Sequence, residues 1–178
     1  MAKNILIISS SPRKHGNTEL MCQSFAKGAI ENGHKVVEVF LNEKNINFCQ
    51  GCAFCEKNPG KCSQQDDMSN IIAELIKCDV VVFASPVYFY SLSGQMKTFI
   101  DRLVTAYRLI INKEIYYIFA AGDKNPNFKI IELCMRGLIS CFAGSKVMGM
   151  IQAGGVRKKG EVSYTEYLNE AYKMGAEV

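Results

Sequence analysis

Residues 4–18 read NILIISSSPRKHGNT, and this stretch decides the fold. Asn4 to Ser9 form a short apolar run without alternation, which is typical of a strand covered on both faces. A polar loop follows, and Thr18 then opens a helical pattern that ends at Asn32-Gly33. The stretch therefore predicts a buried strand, a loop and a helix in direct succession.

The rest of the chain repeats this alternation. Further apolar runs predict strands at residues 36–41, 80–86, 115–121 and 147–151, and amphipathic patterns predict helices at residues 67–77, 92–104, 130–142 and 165–175. Strands that alternate with helices are joined by right-handed crossovers into a parallel sheet. The pattern therefore predicts an α/β three-layer sandwich built on a five-stranded parallel sheet.

The composition limits the classes of function. The 178 residues, 48% of them hydrophobic, contain no internal repeat and no linker, and we expect one domain spanning residues 1–178. The net charge is +4, and the basic residues are scattered apart from Arg157-Lys158-Lys159, so no nucleic-acid partner is expected. No apolar run approaches the roughly 20 residues that cross a bilayer, and the N-terminal pattern is not that of a signal peptide. We expect a cytoplasmic protein without a membrane partner.

The loop after the first strand has the composition of an anion site. It offers hydroxyl groups, the flexible Gly16 and the cation Arg13, and it leads directly into a helix N-terminus, where free N–H groups and the helix dipole favour an anion. It matches neither the dinucleotide-binding glycine pattern nor a Walker A loop. The alternative is a helix cap, because Asn17 or Thr18 could simply cap the helix.

Two other loops are expected at the same edge of the sheet as the loop after the first strand. Ligands of open parallel sheets bind beyond the carboxyl ends of the strands. The loop after the third strand carries three consecutive aromatic residues, Tyr88-Phe89-Tyr90, which could close over a flat ring or simply pack on the sheet. The loop after the fourth strand carries Gly122-Asp123, where small residues let a planar ligand approach the backbone.

Three motifs together carry a family resemblance. They are Ser-Ser-Pro-Arg-x-x-Gly-Asn-Thr at residues 10–18, Ser-Pro-Val-Tyr at residues 85–88 and Gly-Gln-Met-Lys-Thr-Phe-Ile-Asp-Arg at residues 94–102. In combination they resemble the NAD(P)H-dependent FMN reductases. The segment from Ile46 through Asp67-Met68, which holds four cysteines, is most similar to the iron–sulfur flavoprotein branch of that family. The resemblance implies a flavodoxin-like sheet of strand order 2-1-3-4-5, with FMN where the order reverses.

The resemblance also assigns residues. It places the FMN phosphate in the first loop, on Ser9, Ser11, Arg13, Asn17 and Thr18, together with Pro12 and Gly16. It places the isoalloxazine ring against Pro86, Val87, Tyr88 and Phe89, with Gly122 and Asp123 nearby. Lys97, Asp101 and Arg102 also match the family pattern, and we expect them to form salt bridges on the surface of their helix.

The cysteine pattern is the most informative string in the chain. Cys49-x-x-Cys52-x-x-Cys55-x6-Cys62 supplies the four thiolates that a [4Fe-4S] cluster needs, with a turn-forming Asn-Pro-Gly before the last of them. Zinc could use the same ligands, and free thiols or a redox disulfide are further alternatives. The other four cysteines, Cys22, Cys78, Cys134 and Cys141, are interpreted as ordinary buried small residues.

The resemblance implies an FMN-dependent NAD(P)H oxidoreductase. NAD(P)H would be the co-substrate, and the acceptor would be a quinone, a free flavin or a redox protein. The family also implies a homodimer or tetramer whose partner subunit helps to wall the cleft. The alternatives are a flavodoxin-like electron carrier without turnover and a thiol redox sensor. Such carriers are usually acidic, whereas this chain has a net charge of +4.

Overall fold

Five parallel strands form one sheet in the order β2-β1-β3-β4-β5, which confirms the predicted topology. The structure is a computed structural model that describes residues 1–178. The strands are β1 (Asn4–Ser9), β2 (Lys35–Phe40), β3 (Val80–Pro86), β4 (Glu114–Ala120) and β5 (Lys146–Ala153). The helices are α1 (Asn17–Glu31), α2 (Phe54–Lys57), α3 (Met68–Lys77), α4 (Gly94–Arg102), α5 (Lys129–Ile139) and α6 (Tyr167–Ala176).

The central strands are buried on both faces, as their continuous apolar runs predicted. Ile5 and Ile7 contribute to a core of 18 buried residues on the side of α1 and α6. Leu6 and Ile8 contribute to a core of 25 buried residues on the side of α3, α4 and α5. Successive side chains of a strand point to opposite faces, so one strand supplies both cores and the molecule has three layers.

The helices α1 and α6 approach each other closely because glycines lie at their contact. A Cβ atom at Gly28 would lie 2.1 Å from the carbonyl oxygen of Tyr172, and one at Gly175 would lie 2.0 Å from that of Phe25. Real Cβ atoms do not approach so closely, so the two helices can pack this way only with glycine at both positions.

The parallel register brings the carboxyl ends of β1, β3 and β4 to one edge. Ser9 is paired with Ala84, and Pro86 with Ala120. The predicted helix at residues 92–104 is shorter in the structure, where α4 is followed by two short 3₁₀ turns at Leu103–Thr105 and Tyr107–Leu109. The short helix α2 inside the cysteine segment has no counterpart in the predicted elements. None of the helices has the length and apolarity that crossing a membrane requires.

Candidate cofactor site

A cleft of about 250 Å³ opens at the carboxyl edge of the sheet, above β1, β3 and β4. Its walls include eight of the residues predicted to bind the cofactor, namely Ser11, Arg13, Asn17, Thr18, Pro86, Val87, Tyr88 and Gly122. Ala120, Val156 and Arg157 complete the lining. The residues are brought together from four separate loops, and this is where a ligand of an open parallel sheet is expected.

The loop after β1 presents free donors to the cleft. Gly16 occupies the N-cap of α1 and provides no side-chain cap, and the backbone N–H groups of Asn17 and Thr18 make no hydrogen bond within the chain. A Cβ atom at Gly16 would lie 2.8 Å from the carbonyl oxygen of Arg13, so the loop can turn this tightly only with glycine there. Uncapped N–H groups at the start of a 15-residue helix, beside the Arg13 guanidinium, suit a phosphate group.

Asn17 has a different use from the one that the resemblance implied. Its Nδ2 donates to the carbonyl oxygens of Val156 at 2.8 Å and Lys158 at 2.9 Å, and its Oδ1 accepts from the N–H of Val162 at 3.1 Å. Both amide hydrogens are therefore occupied, and the side chain has no donor left for a phosphate. It ties the start of α1 to the segment that follows β5.

That segment supplies two cleft residues that the sequence analysis missed, Val156 and Arg157. Arg157 packs against Gly122, where an added Cβ atom would lie 3.2 Å from the Cβ of Arg157, and its carbonyl oxygen accepts from Nη1 of Arg13 at 3.0 Å. The only sequence signal was the basic run at residues 157–159, which belongs to no known motif. Its place in the cleft depends on contacts with residues about 140 positions away.

Four of the other predicted residues lie beside the cleft without lining it. Ser9 is 1% exposed and belongs to the β1 face that packs under α1, together with Ile5 and Ile7. Pro12 is exposed and Gly16 is buried in the same loop, and neither lines the cleft. Asp123 lines an adjoining surface depression with Lys124 and Arg157, and its carboxylate accepts from the N–H of Asn125 at 3.1 Å.

Three buried serines hold the first and third loops together. The hydroxyl of Ser93 donates to that of Ser10 at 2.8 Å and accepts from the N–H of Met96, which caps α4. The hydroxyl of Ser85 accepts from the N–H of Ser93 at 3.1 Å. Because all three serines are at most 1% exposed, these bonds are shielded from water and fix the two walls of the cleft relative to each other.

The aromatic loop after β3 is a tight turn with a strained backbone. Tyr88 and Ser91 exchange two backbone hydrogen bonds of 3.0 Å, and the central residues Phe89 and Tyr90 have φ angles of 49° and 62°. Two consecutive positive φ angles define a type I′ turn, which usually carries Asn-Gly. Tyr88 lines the cleft. Phe89, which was also predicted to contact the ring, does not line the cleft and is fully exposed.

Comparison with known proteins agrees with this geometry. The sequence pattern of the family described as NADPH-dependent FMN reductase matches residues 3–170. The chain belongs to this family. This is the family that the sequence motifs resemble.

Several relatives of the chain carry the name iron–sulfur flavoprotein. One from Archaeoglobus fulgidus is 41% identical over 97 residues, which are 54% of this chain and 44% of that protein. One from Methanocaldococcus jannaschii is 29% identical over 174 residues, which are 96% of this chain and 84% of that protein. The matches to three such relatives span only 44% to 50% of their length.

Solved structures support the fold of the chain. An NAD(P)H:quinone oxidoreductase from Methanothermobacter marburgensis superposes with a TM-score of 0.76 at 15% identity, over 99% of this chain and 96% of that one. An azoreductase from Bacillus anthracis superposes with a TM-score of 0.78 at 19% identity, over the whole of both chains. At this identity the likeness concerns the fold alone.

The four cysteines of the predicted cluster motif line a second cavity, of about 460 Å³. It lies between the segment of residues 49–64 and the 3₁₀ turns after α4. All four cysteines are free thiols, and no three potential ligand side chains are already arranged around one point. The Ser63 hydroxyl, 3.3 Å from Cys52 Sγ, lowers the pKa of that thiol. Four thiols facing one cavity suit a thiolate-ligated cluster in their chemistry, although the loop must draw them together.

The expectations about three residues were wrong. Lys97 and Asp101 form the expected exposed pair, at 2.6 Å, but Arg102 is 1% exposed and is paired with Asp66 inside the protein. Arg102 lies three positions after Phe99, on the buried face of α4, which the charge pattern alone did not indicate. Cys22 and Cys78 are buried as expected, whereas Cys134 and Cys141 are exposed.

Proposed function

We propose that the cleft binds FMN and that the chain passes electrons from NAD(P)H through it to an acceptor. The observation that carries this proposal is the composition of the two ends of the cleft. One end has the uncapped start of α1 with Arg13 and Thr18, which suits a phosphate, and the other has Pro86 to Tyr88 and Gly122, which suit a flat ring. Bound FMN accepts a hydride and can release electrons singly.

The chain's own residues bind and orient in this scheme. No carboxylate, imidazole or thiol lines the cleft, and its titratable side chains are those of Arg13, Arg157 and Tyr88. The phosphate loop would fix one end of the cofactor, and the serine contacts would hold the opposite wall at a constant distance. The acceptor is proposed to be a quinone, a free flavin or a redox protein. A quinone is supported by the name of a relative from Archaeoglobus fulgidus, an NAD(P)H dehydrogenase (quinone), which is 31% identical over 105 residues.

The phosphate loop can be tested by ligand binding. Replacing Arg13 and Thr18 by alanine should weaken FMN binding several-fold or more, at about 1.5–3 kcal/mol for each charged hydrogen bond lost. Riboflavin, which lacks the phosphate, should bind far more weakly than FMN to the unmodified protein. Lys14→Ala is the matched control, because Lys14 is a cation of the same loop that pairs with Glu43 at 2.9 Å and does not line the cleft. Equal affinity for FMN and riboflavin would exclude the phosphate site.

Turnover separates an enzyme from an electron carrier. FMN-loaded protein should oxidise NADH or NADPH steadily when a quinone or ferricyanide is supplied. Bound FMN that is reduced once and not turned over with any acceptor would instead support the carrier.

We further propose that Cys49, Cys52, Cys55 and Cys62 hold a [4Fe-4S] cluster, which would supply single-electron transfer. The proposal is supported by the four thiols around one cavity and by the names of the relatives. Protein reconstituted without oxygen should contain about four irons and four sulfides per chain. Cys55→Ser should lose the long-wavelength absorbance and keep FMN, and the exposed Cys134 provides the control Cys134→Ser. Iron-free protein after reconstitution would leave the thiol alternative.

Assembly into a homodimer or tetramer is proposed on the exposed aromatic turn. Phe89 is fully exposed and Tyr90 is half exposed at the rim of the cleft, and exposed aromatic residues are typical of contact sites. Light scattering should therefore report at least a dimer. A monomer that retains FMN tightly would contradict a cleft shared between subunits.

A further inference from the structure

Arg102 is the largest fully buried side chain of the protein, and it lies between α4 and the cysteine segment. Its Nη1 donates to Asp66 Oδ2 at 2.6 Å and to the carbonyl oxygen of Asn47 at 2.8 Å. Its Nη2 donates to Asp66 Oδ1 at 3.0 Å and to Cys62 Sγ at 3.4 Å. The planar guanidinium therefore binds a carboxylate with both arms and reaches a thiol as well.

These contacts join the two ends of the cysteine segment. Asn47 precedes the first cysteine by two positions, and Asp66 follows the last by four. The Asp66 carboxylate also accepts from the N–H groups of Asn47 at 3.2 Å and Met68 at 3.2 Å. The segment between them has no strand and only the four-residue α2, so regular secondary structure does not explain how it is held.

The four cysteines differ in their hydrogen bonds. Cys62 Sγ accepts from Arg102 and, at 3.5 Å, from the N–H of Gln64. Cys52 Sγ has only neutral partners, the Ser63 hydroxyl and the backbone at Phe54, and Cys49 and Cys55 have no side-chain hydrogen bond. Cys62 is therefore the one cysteine of the four with a charged donor.

The same helix is anchored to the flavin cleft at its other end. Ser93 caps α4 and bonds to Ser10 of the phosphate loop. Arg102 is the last residue of α4, about 13 Å away along a helix of nine residues. A single rigid helix thus connects the cleft with the cysteine cavity.

We propose that Arg102, paired with Asp66, is a positioning residue that closes the cysteine segment and holds Cys62 at a fixed place relative to the flavin cleft. Loss of the guanidinium frees both ends of the segment while α4 and the cleft remain in place. The contacts of Arg102 join the two ends of the cysteine segment whether or not a cluster is present. Any effect of Arg102 on a cluster rests on the proposed function. If Cys62 holds a cluster, the charged N–H donor to its sulfur would favour the reduced form and raise the cluster's potential.

Arg102→Lys tests the closure, since lysine keeps the charge but cannot form the two-armed contact. Amide hydrogen exchange of FMN-loaded, iron-free protein should become at least tenfold faster in peptides within residues 47–66 and remain unchanged in the loop after β1. Asp101→Asn is the matched control, because it breaks the exposed 2.6 Å pair on the same helix and should leave residues 47–66 as protected as before. Unchanged exchange of residues 47–66 in Arg102→Lys would overturn the proposal.

A second variant tests the same proposal if Arg102→Lys does not fold. Arg102→Met with Asp66→Leu leaves no unpaired buried charge, and such replacements are often tolerated. It also removes the contacts that Arg102 and Asp66 make with Asn47 and Cys62, so the same local increase in exchange is expected. Protection equal to that of the unmodified protein would contradict the proposal.

The cluster is examined separately by redox titration of reconstituted protein. The cluster potential should fall in Arg102→Lys while the FMN potential is unchanged, and equal cluster potentials would refute the effect on Cys62. If neither the unmodified protein nor any variant binds iron, the proposed cluster is wrong. Hydrogen exchange still tests whether Arg102 holds the cysteine segment closed.

Discussion

Substitution of Asn17 by alanine distinguishes a residue that holds the wall of the cleft from one that binds the phosphate. The change removes three hydrogen bonds, of 2.8, 2.9 and 3.1 Å, to Val156, Lys158 and Val162, and those to Val156 and Val162 are buried. Each bond contributes about 0.5–1.5 kcal/mol, and the partners left buried add to the cost. We expect the free energy of unfolding to fall by about 2–4 kcal/mol, measured by urea denaturation of the FMN-free protein.

The ligand affinities then identify the role. Because Asn17 holds the segment with Val156 and Arg157, its removal should weaken FMN and riboflavin by the same factor, each tenfold loss corresponding to about 1.4 kcal/mol. Arg13→Ala should instead weaken FMN and leave riboflavin almost unchanged. If Asn17→Ala weakened FMN but not riboflavin, the side chain would contact the phosphate. If the free energy of unfolding were unchanged, its three hydrogen bonds would not stabilise the fold. Either result would refute the reasoning.

Three further predictions concern the loops around the site. Gly16→Ala should weaken FMN binding, because the new Cβ atom would lie 2.8 Å from a carbonyl oxygen of its own loop, whereas Gly94→Ala, with nothing within 4 Å, should not; equal affinities would contradict this. Phe89→Asn with Tyr90→Gly should raise the free energy of unfolding by about 1–3 kcal/mol, as measured in urea, because the strained type I′ turn then carries its preferred residues, and no gain would argue against strain. Burial alone would raise the pKa of Asp66, but hydrogen bonds, first from the Arg102 guanidinium, outweigh burial and hold that pKa below 3.8. The ionised carboxylate therefore stabilises the fold above pH 3.8. This stabilisation is lost as the pH falls through the lower pKa of the folded state. Acid unfolding of Asp66→Asn followed by circular dichroism should lack that component.

The redox state of the cysteines matters to any measurement on this protein. Cys134 and Cys141 are exposed on α5 and in the turn after it, although the apolar surroundings in the sequence suggested burial. The helix presents one face to the core and the other to solvent, and a cysteine can occupy either. Thiol counts and alkylation patterns should therefore be assigned with these two residues replaced.

The candidate site was predictable where local sequence determines local geometry. A polar loop with Arg13 and Gly16 between a buried strand and a helix leaves free N–H groups at the start of that helix, and Pro86 to Tyr88 lie at the end of a buried strand. These residues line the cleft because the strand ends of a parallel sheet share one edge. The roles of Arg102 and Arg157 were not predictable in the same way. The neighbouring sequence of an arginine is the same whether its side chain is exposed or pairs with a buried partner.

The sequence by itself determined the succession of strands and helices, because burial on both faces of a strand leaves a continuous apolar run and burial on one face of a helix leaves a period of 3.6 residues. Its motifs also identified the family and, with it, the strand order. Only the tertiary structure decided which polar groups meet. Asn17 bonds to a carbonyl 139 positions later, and Arg102 pairs with a carboxylate 36 positions earlier. Such partners are selected by the packing of whole layers, which brings distant donors and acceptors together where water cannot satisfy them, and no local period in the chain records that choice.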